Sequence, residues 1–103
     1  NINDVMIKSF YDSDTEKQLK SATVTFDLLP SAGQVVLKYK KDGETTYTTL
    51  YTHTTDSTMS RKAVSTSTLA LPTYRELILR VESTGGAIIT GLKIKYSELN
   101  NTD

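Results

Sequence analysis

The chain has 103 residues, its 12 Lys and Arg balance 12 Asp and Glu, and its pI is near 6.8. One domain fills this length, and a core of this size leaves little room for a deep cavity or a mobile lid. Neutrality removes the simplest argument for nucleic acid, which needs a basic patch dense enough to displace counterions from phosphates, and the lack of Cys removes a disulfide frame, a thiolate metal site and a Cys nucleophile.

The 17 Thr, 10 Ser and six Tyr favour strands throughout. Val5 and Ile7 mark a first strand, followed by a polar loop from Asp12 to Lys17. Lys20, Ala22, Val24, Phe26 and Leu28 then alternate with Ser21, Thr23, Thr25 and Asp27. A period of two gives one buried face and one wet face, so a strand is predicted, ended by Pro30, Ser31 and Gly33. Gln34 to Lys40 alternates again, with Val35, Leu37 and Tyr39 on one side, although Val36 interrupts the polar side.

Asp42-Gly43 ahead of Thr45 to His53 is the strongest hairpin signal in the chain. Two closures are open. A two-residue loop sets Leu37 opposite Thr48 and turns Tyr47 and Tyr51 outward. A three-residue loop from Lys41 to Gly43 with a glycine bulge sets Leu37 opposite Tyr47 and turns both tyrosines inward. The second separates apolar from polar residues more cleanly and is preferred.

From His53 to Thr68 the chain is rich in Thr and Ser, and only a short edge strand, Arg61 to Ser65, is expected. Leu77, Leu79 and Val81 alternate with Glu76, Ile78, Arg80 and Glu82 in the next strand. The turn Ser83-Thr84-Gly85-Gly86 is expected to close a hairpin onto Ala87 to Tyr96, with Ile88, Leu92, Ile94 and Tyr96 sharing a face against Lys93 and Lys95. No segment has the apolar spacing of a packed helix, and no apolar run approaches the ~20 residues that span a bilayer. About seven short strands with turns between them describe an all-β chain, a small antiparallel β-sandwich with jelly-roll-like connections as one option. Asn1 at the start and the polar end from Asn100 to Asp103 suggest a fragment or terminal domain of a longer polypeptide.

Few residues carry a chemical signal. Asp12, Asp14 and Glu16 alternate like the opening of a calcium loop, but no Gly follows at the tight turn and position 23, where the closing Glu belongs, is Thr. A solvated acidic turn is the simpler reading. His53 is the sole imidazole, which excludes a multi-His zinc site; with Asp56 it lies near serines, none of them in a Gly-x-Ser-x-Gly elbow. A strand-end His facing water is expected. Glu76 and Glu82 lie on one side of one strand, roughly 20 Å apart and too far to flank a glycosidic bond. Gly85 and Gly86 precede a strand, not a helix whose amides could hold phosphate. Lys38, Lys40, Lys41, Lys93 and Lys95 form a basic strip only if their strands are neighbours; otherwise they keep exposed strands soluble.

The run Glu76-Leu77-Ile78-Leu79-Arg80-Val81-Glu82-Ser83-Thr84-Gly85-Gly86-Ala87-Ile88-Ile89-Thr90-Gly91-Leu92-Lys93-Ile94-Lys95-Tyr96 resembles the last hairpin of β-sandwich domains in structural proteins of tailed bacteriophages. Val35 to Gly43, ending Lys-Tyr-Lys-Lys-Asp-Gly, is similar to the middle hairpin of such domains, with Tyr47 where a Trp often follows the turn. The resemblance spans roughly residues 35–96. It implies a non-enzymatic virion part of tail, nozzle or head-to-tail connector type, assembled in the bacterial cytoplasm and packed against copies of itself or other virion proteins. It carries over no catalytic, metal or cofactor residue and implies no nucleic acid or membrane partner. A carbohydrate- or receptor-binding sandwich is the alternative, weakened by the absence of Trp and by inward Tyr47 and Tyr51. A small enzyme ranks third.

Overall fold

The computed structural model describes residues 4–11, 14–54, 61–65 and 70–99, residues 61–65 as backbone. Among the described residues eight strands form in chain order: β1 (Asp4–Tyr11), β2 (Lys17–Phe26), β3 (Gln34–Lys41), β4 (Thr48–Thr54), β5 (Arg61–Ser65), β6 (Thr73–Tyr74), β7 (Glu76–Thr84) and β8 (Ile89–Glu98). They build two antiparallel sheets, so the chain is an all-β sandwich as its alternation predicts. One sheet runs β1-β7-β3-β4. In the other, β2 has β8 along one edge, with β5 and β6 end to end along the opposite edge. The chain thus pairs β1 with β7 in one sheet and β2 with β8 in the other. The β1–β2 and β7–β8 connections both cross between the sheets and so join one pair to the other. Because β1 neighbours β7 and not β8, jelly-roll connections do not form.

Alternation decides the inner faces. Ala22, Val24 and Phe26 of β2 face Leu77, Leu79 and Val81 of β7, with Val35 and Leu37 of β3 beside them, all buried. Burying each large aliphatic side chain contributes roughly 1.5–3 kcal/mol. On β1 the inward residues are Met6 and Phe10, so Val5 and Ile7, which reveal the strand in the sequence, point outward.

Three single-residue insertions shift the faces from those predicted. The β2 ladder skips Lys20 against β8, which turns Lys17 and Leu19 inward and Lys20 out. Across from Leu37 and Lys38, β4 carries an extra Leu50. In β8 the extra residue is Thr90, so Ile89 and Leu92 are both buried while Ile88 is exposed; Tyr96, on the Leu92 side and opposite Leu19, is exposed near the end of the strand. Each such bulge reverses which parity faces the core.

The Asp42-Gly43 turn forms, with positive φ at both residues and Glu44 N–H donating to Lys41 O at 2.9 Å. Neither predicted register follows it. Pairing resumes only at Thr48 opposite Tyr39, and Leu37 lies opposite Tyr51. Tyr51 packs on the core as expected, whereas Tyr47 leaves the core for the outer face of the sheet.

Ser83 to Gly86 is not a hairpin turn. It carries the chain from one sheet to the other, because β7 pairs with β1 and β3 while β8 pairs with β2. Positive φ at Gly85 and Gly86 makes the crossing, and a Cβ on Gly85 would collide with the Ala32 carbonyl oxygen. The two-residue β6 is the unforeseen eighth strand: it belongs to the second sheet, and Arg75 alone separates it from β7 in the first.

Candidate functional site

The corner at Arg75 gathers the charged residues of one end of the sandwich. Arg75 and Glu76 both donate backbone N–H groups to Asp42 Oδ1, at 2.8 and 2.9 Å, while Asp42 N–H donates to Glu76 O at 3.1 Å. Lys41 Nζ reaches Thr73 O at 2.8 Å, and Arg75 Nε reaches Asp14 O at 3.0 Å. Partial burial pushes the Asp42 carboxyl up, but the Glu76 and Arg75 amides, aided by the charges of Lys41 and Arg75, outweigh it and hold it below its ordinary value. The Asp42-Gly43 turn is therefore a clasp for a sheet-switching strand.

The predicted candidates separate in space. Asp12 and Asp56 lie outside the described residues. Asp14 Oδ1 accepts the Tyr11 hydroxyl at 2.7 Å, which together with the Asp14 charge raises the Tyr11 phenol above its ordinary value. His53 corrects the expectation of a solvent-facing strand end. It is 8% exposed and lies opposite Val35, with Phe26 at 5.7 Å and Tyr51 at 6.1 Å between ring centroids. Its Nδ1 meets the Tyr51 hydroxyl at 3.1 Å, and its Nε2 has no partner among the described residues.

Glu82 is held by Arg80 Nε at 2.6 Å and Lys38 Nζ at 3.0 Å. The Arg80 hydrogen bond, opposed by burial and reinforced by Lys38, keeps its carboxyl below the ordinary range. The five lysines form no strip, since β3 and β8 belong to different sheets. Lys40 sits 4.8 Å from the Tyr47 ring centroid, with the Arg80 guanidinium 5.8 Å away on that ring.

Two surfaces remain as sites. The first is β1, which pairs with β7 along all eight residues without a register shift and, among the described residues, forms an edge of its sheet. Val5, Ile7 and Tyr11 are exposed on it, Ile7 at 52%. Natural edges are usually blunted by bulges, Pro or several charges, and β1 has only Asp4 and Lys8. Asp4 Oδ2 accepts the Ile89 N–H at 3.3 Å and Lys8 Nζ reaches Leu92 O at 3.3 Å, so both reach across to β8.

The second is a cleft of about 250 Å³ where the sheets part beside the Arg75 corner, lined by Ser9, Phe10, Tyr11, Lys17, Tyr74 and Tyr96. Lys17 is 1% exposed; its Nζ donates to Thr15 O at 2.7 Å and Arg75 O at 3.2 Å and lies 5.6 Å from the Tyr74 ring centroid. Tyr74, also 1% exposed, meets Tyr96 edge to face at 6.5 Å. Burial, with a contribution from Tyr96, pushes the Tyr74 phenol up to about 12. Its hydroxyl has no partner among the described residues. Leaving such a group unsatisfied costs roughly 1–3 kcal/mol. Sequence reading missed this cluster because its rings come from β1, β6 and β8, with no shared spacing.

No helix among the described residues is long and apolar enough to cross a membrane. Comparison with family models, curated proteins and solved structures gave no match.

Proposed function

We propose that the chain is a non-catalytic assembly domain of a tailed-bacteriophage virion, packing against copies of itself or other virion proteins through the outer flank of β1. The observation that carries this reading is the long, regular edge strand that holds Val5 and Ile7 in solvent. An edge of that kind accepts another strand or an apolar face at little conformational cost. The likeness of residues 76–96 to the terminal strands of phage sandwich domains supports the virion part, although here those strands lie in different sheets. The carbohydrate alternative gains no aromatic pair from the Asp42-Gly43 hairpin, because Tyr51 packs on the core and Lys40 and Arg80 lie over the Tyr47 ring.

Sedimentation of the purified chain over a range of concentrations tests the surface. Reversible association is expected, weakened at least about tenfold by Ile7→Lys, which places a charge at the apolar contact without touching the core. A chain that stays monomeric, or an Ile7→Lys variant that associates equally well, contradicts the proposal.

A further inference from the structure

We propose that the cleft between Ser9–Tyr11 of β1 and the Lys17, Tyr74 and Tyr96 side is a binding site for one uncharged sugar ring. This goes beyond the assembly reading and does not rest on it.

The Tyr74 hydroxyl is the first observation. Tyr74 lines the cleft and its hydroxyl is buried and lacks a partner among the described residues, so a ligand whose hydroxyl reaches it satisfies it and a purely apolar one leaves it orphaned. The walls are the second. Tyr11, 58% exposed, and Tyr96, 42% exposed, stand on edge strands of different sheets and line the cleft with aromatic side chains. A pyranose presents apolar C–H faces to such rings and hydroxyls at its rim, which is the complement of this lining. Size is the third: about 250 Å³ falls below the roughly 300–1,000 Å³ of sites for drug-sized ligands and suits a single ring. Lys17 in the lining sets the charge, because its ammonium disfavours a cationic ligand.

Titration of the 103-residue chain with methyl glycosides of glucose, galactose, mannose and N-acetylglucosamine, followed by ¹H–¹⁵N correlation spectra, tests the site. Saturable shifts are expected at the amides of Ser9 to Tyr11, Lys17, Tyr74 and Tyr96, with millimolar dissociation constants for at least one glycoside, as one ring allows. Tyr74→Phe keeps the ring and removes the orphaned hydroxyl. It is expected to weaken binding about tenfold with no loss of thermal stability. Tyr96→Ala and Tyr11→Ala, at exposed positions, each weaken it by a similar factor while the fold is retained.

Absence of saturation by every glycoside overturns the proposal, as do shifts confined to other residues or affinity unchanged in all three variants. Cyclohexanol or N-acetyltyrosine amide binding as tightly as the best glycoside would assign the cleft to an apolar ring or a peptide side chain instead. Glucosamine binding as tightly as the glucoside would overturn the assignment of an uncharged ligand.

Discussion

The two ends of β7 solve the same problem in different ways. At Arg75 the chain passes from the second sheet into the first, and at Gly85-Gly86 it passes back. The Arg75 end is held by charged side chains on backbone groups: Asp42 on the Arg75 and Glu76 amides, Lys17 on Arg75 O and Lys41 on Thr73 O. The glycine end is held by close packing, with Gly85 against Ala32, and by the buried Ser83 Oγ donating to Ala87 O at 2.7 Å. Charge-assisted bonds at a partly exposed corner can be replaced by water, whereas two backbones in contact cannot admit a new atom. The glycine end is therefore the intolerant one, and the charged end is the one that responds to pH.

The largest expected effect breaks the glycine end. Gly85→Ala should destabilise the chain by at least about 3 kcal/mol in urea unfolding, because its Cβ meets the Ala32 carbonyl and its φ is +67°. Gly43→Ala, at φ +83° with no atom within 4 Å of the new Cβ, should cost only about 1 kcal/mol. Equal losses would show that backbone conformation, not contact, governs both turns.

Asp42→Ala removes the clasp on the Arg75 corner and is expected to cost about 1–2 kcal/mol, comparable to loss of a helix cap. Ser83→Ala should follow at about 1 kcal/mol, as one buried hydrogen bond. Glu82→Gln, which removes the charge but keeps a hydrogen-bonding side chain beside the partly exposed Lys38 and Arg80, should change the unfolding free energy by less than about 1 kcal/mol.

The pH response sharpens the contrast. Asp42 and Glu82 both have folded-state carboxyls below their ordinary values of 3.8 and 4.5. A depressed pKa contributes stability that is fully present above the unfolded value and is lost as pH falls through the folded one. Stability should thus decline below the unfolded carboxylate range, and Asp42→Asn should flatten part of that decline while Gly43→Ala leaves its slope unchanged. An Asp42→Asn slope identical to that of the parent chain would detach the corner from the pH response.

Much of this fold was legible from alternation alone. Ala22, Val24 and Phe26, and Leu77, Leu79 and Val81, face the core as their spacing requires, and the weak strand Arg61–Ser65 pairs with β2 along its length. What alternation hides is a single inserted residue. Lys20, Leu50 and Thr90 look like ordinary strand positions, yet each reverses the faces beyond it, which is how Lys17 came inside and Ile88 outside. The glycines at 85–86 signal positive φ equally well for a hairpin and for a crossing, and only the partners of β7 and β8 decide between them. His53 was expected at a wet strand end because it stands where the alternating run gives way to Thr and Ser, while pairing with Val35 placed it against Phe26. Neither surface site could be read in advance. Val5 and Ile7 announce a strand but not which side of it is covered, and the tyrosine cleft assembles residues from both ends of the chain.

The claim that the outer flank of β1 is where this domain meets its neighbours is tested most directly by electron microscopy of the native assembly. The account predicts a symmetric ring or array in which Val5 and Ile7 are covered by an adjacent subunit. Density showing the domain bare along β1, or isolated from any neighbour, would contradict it.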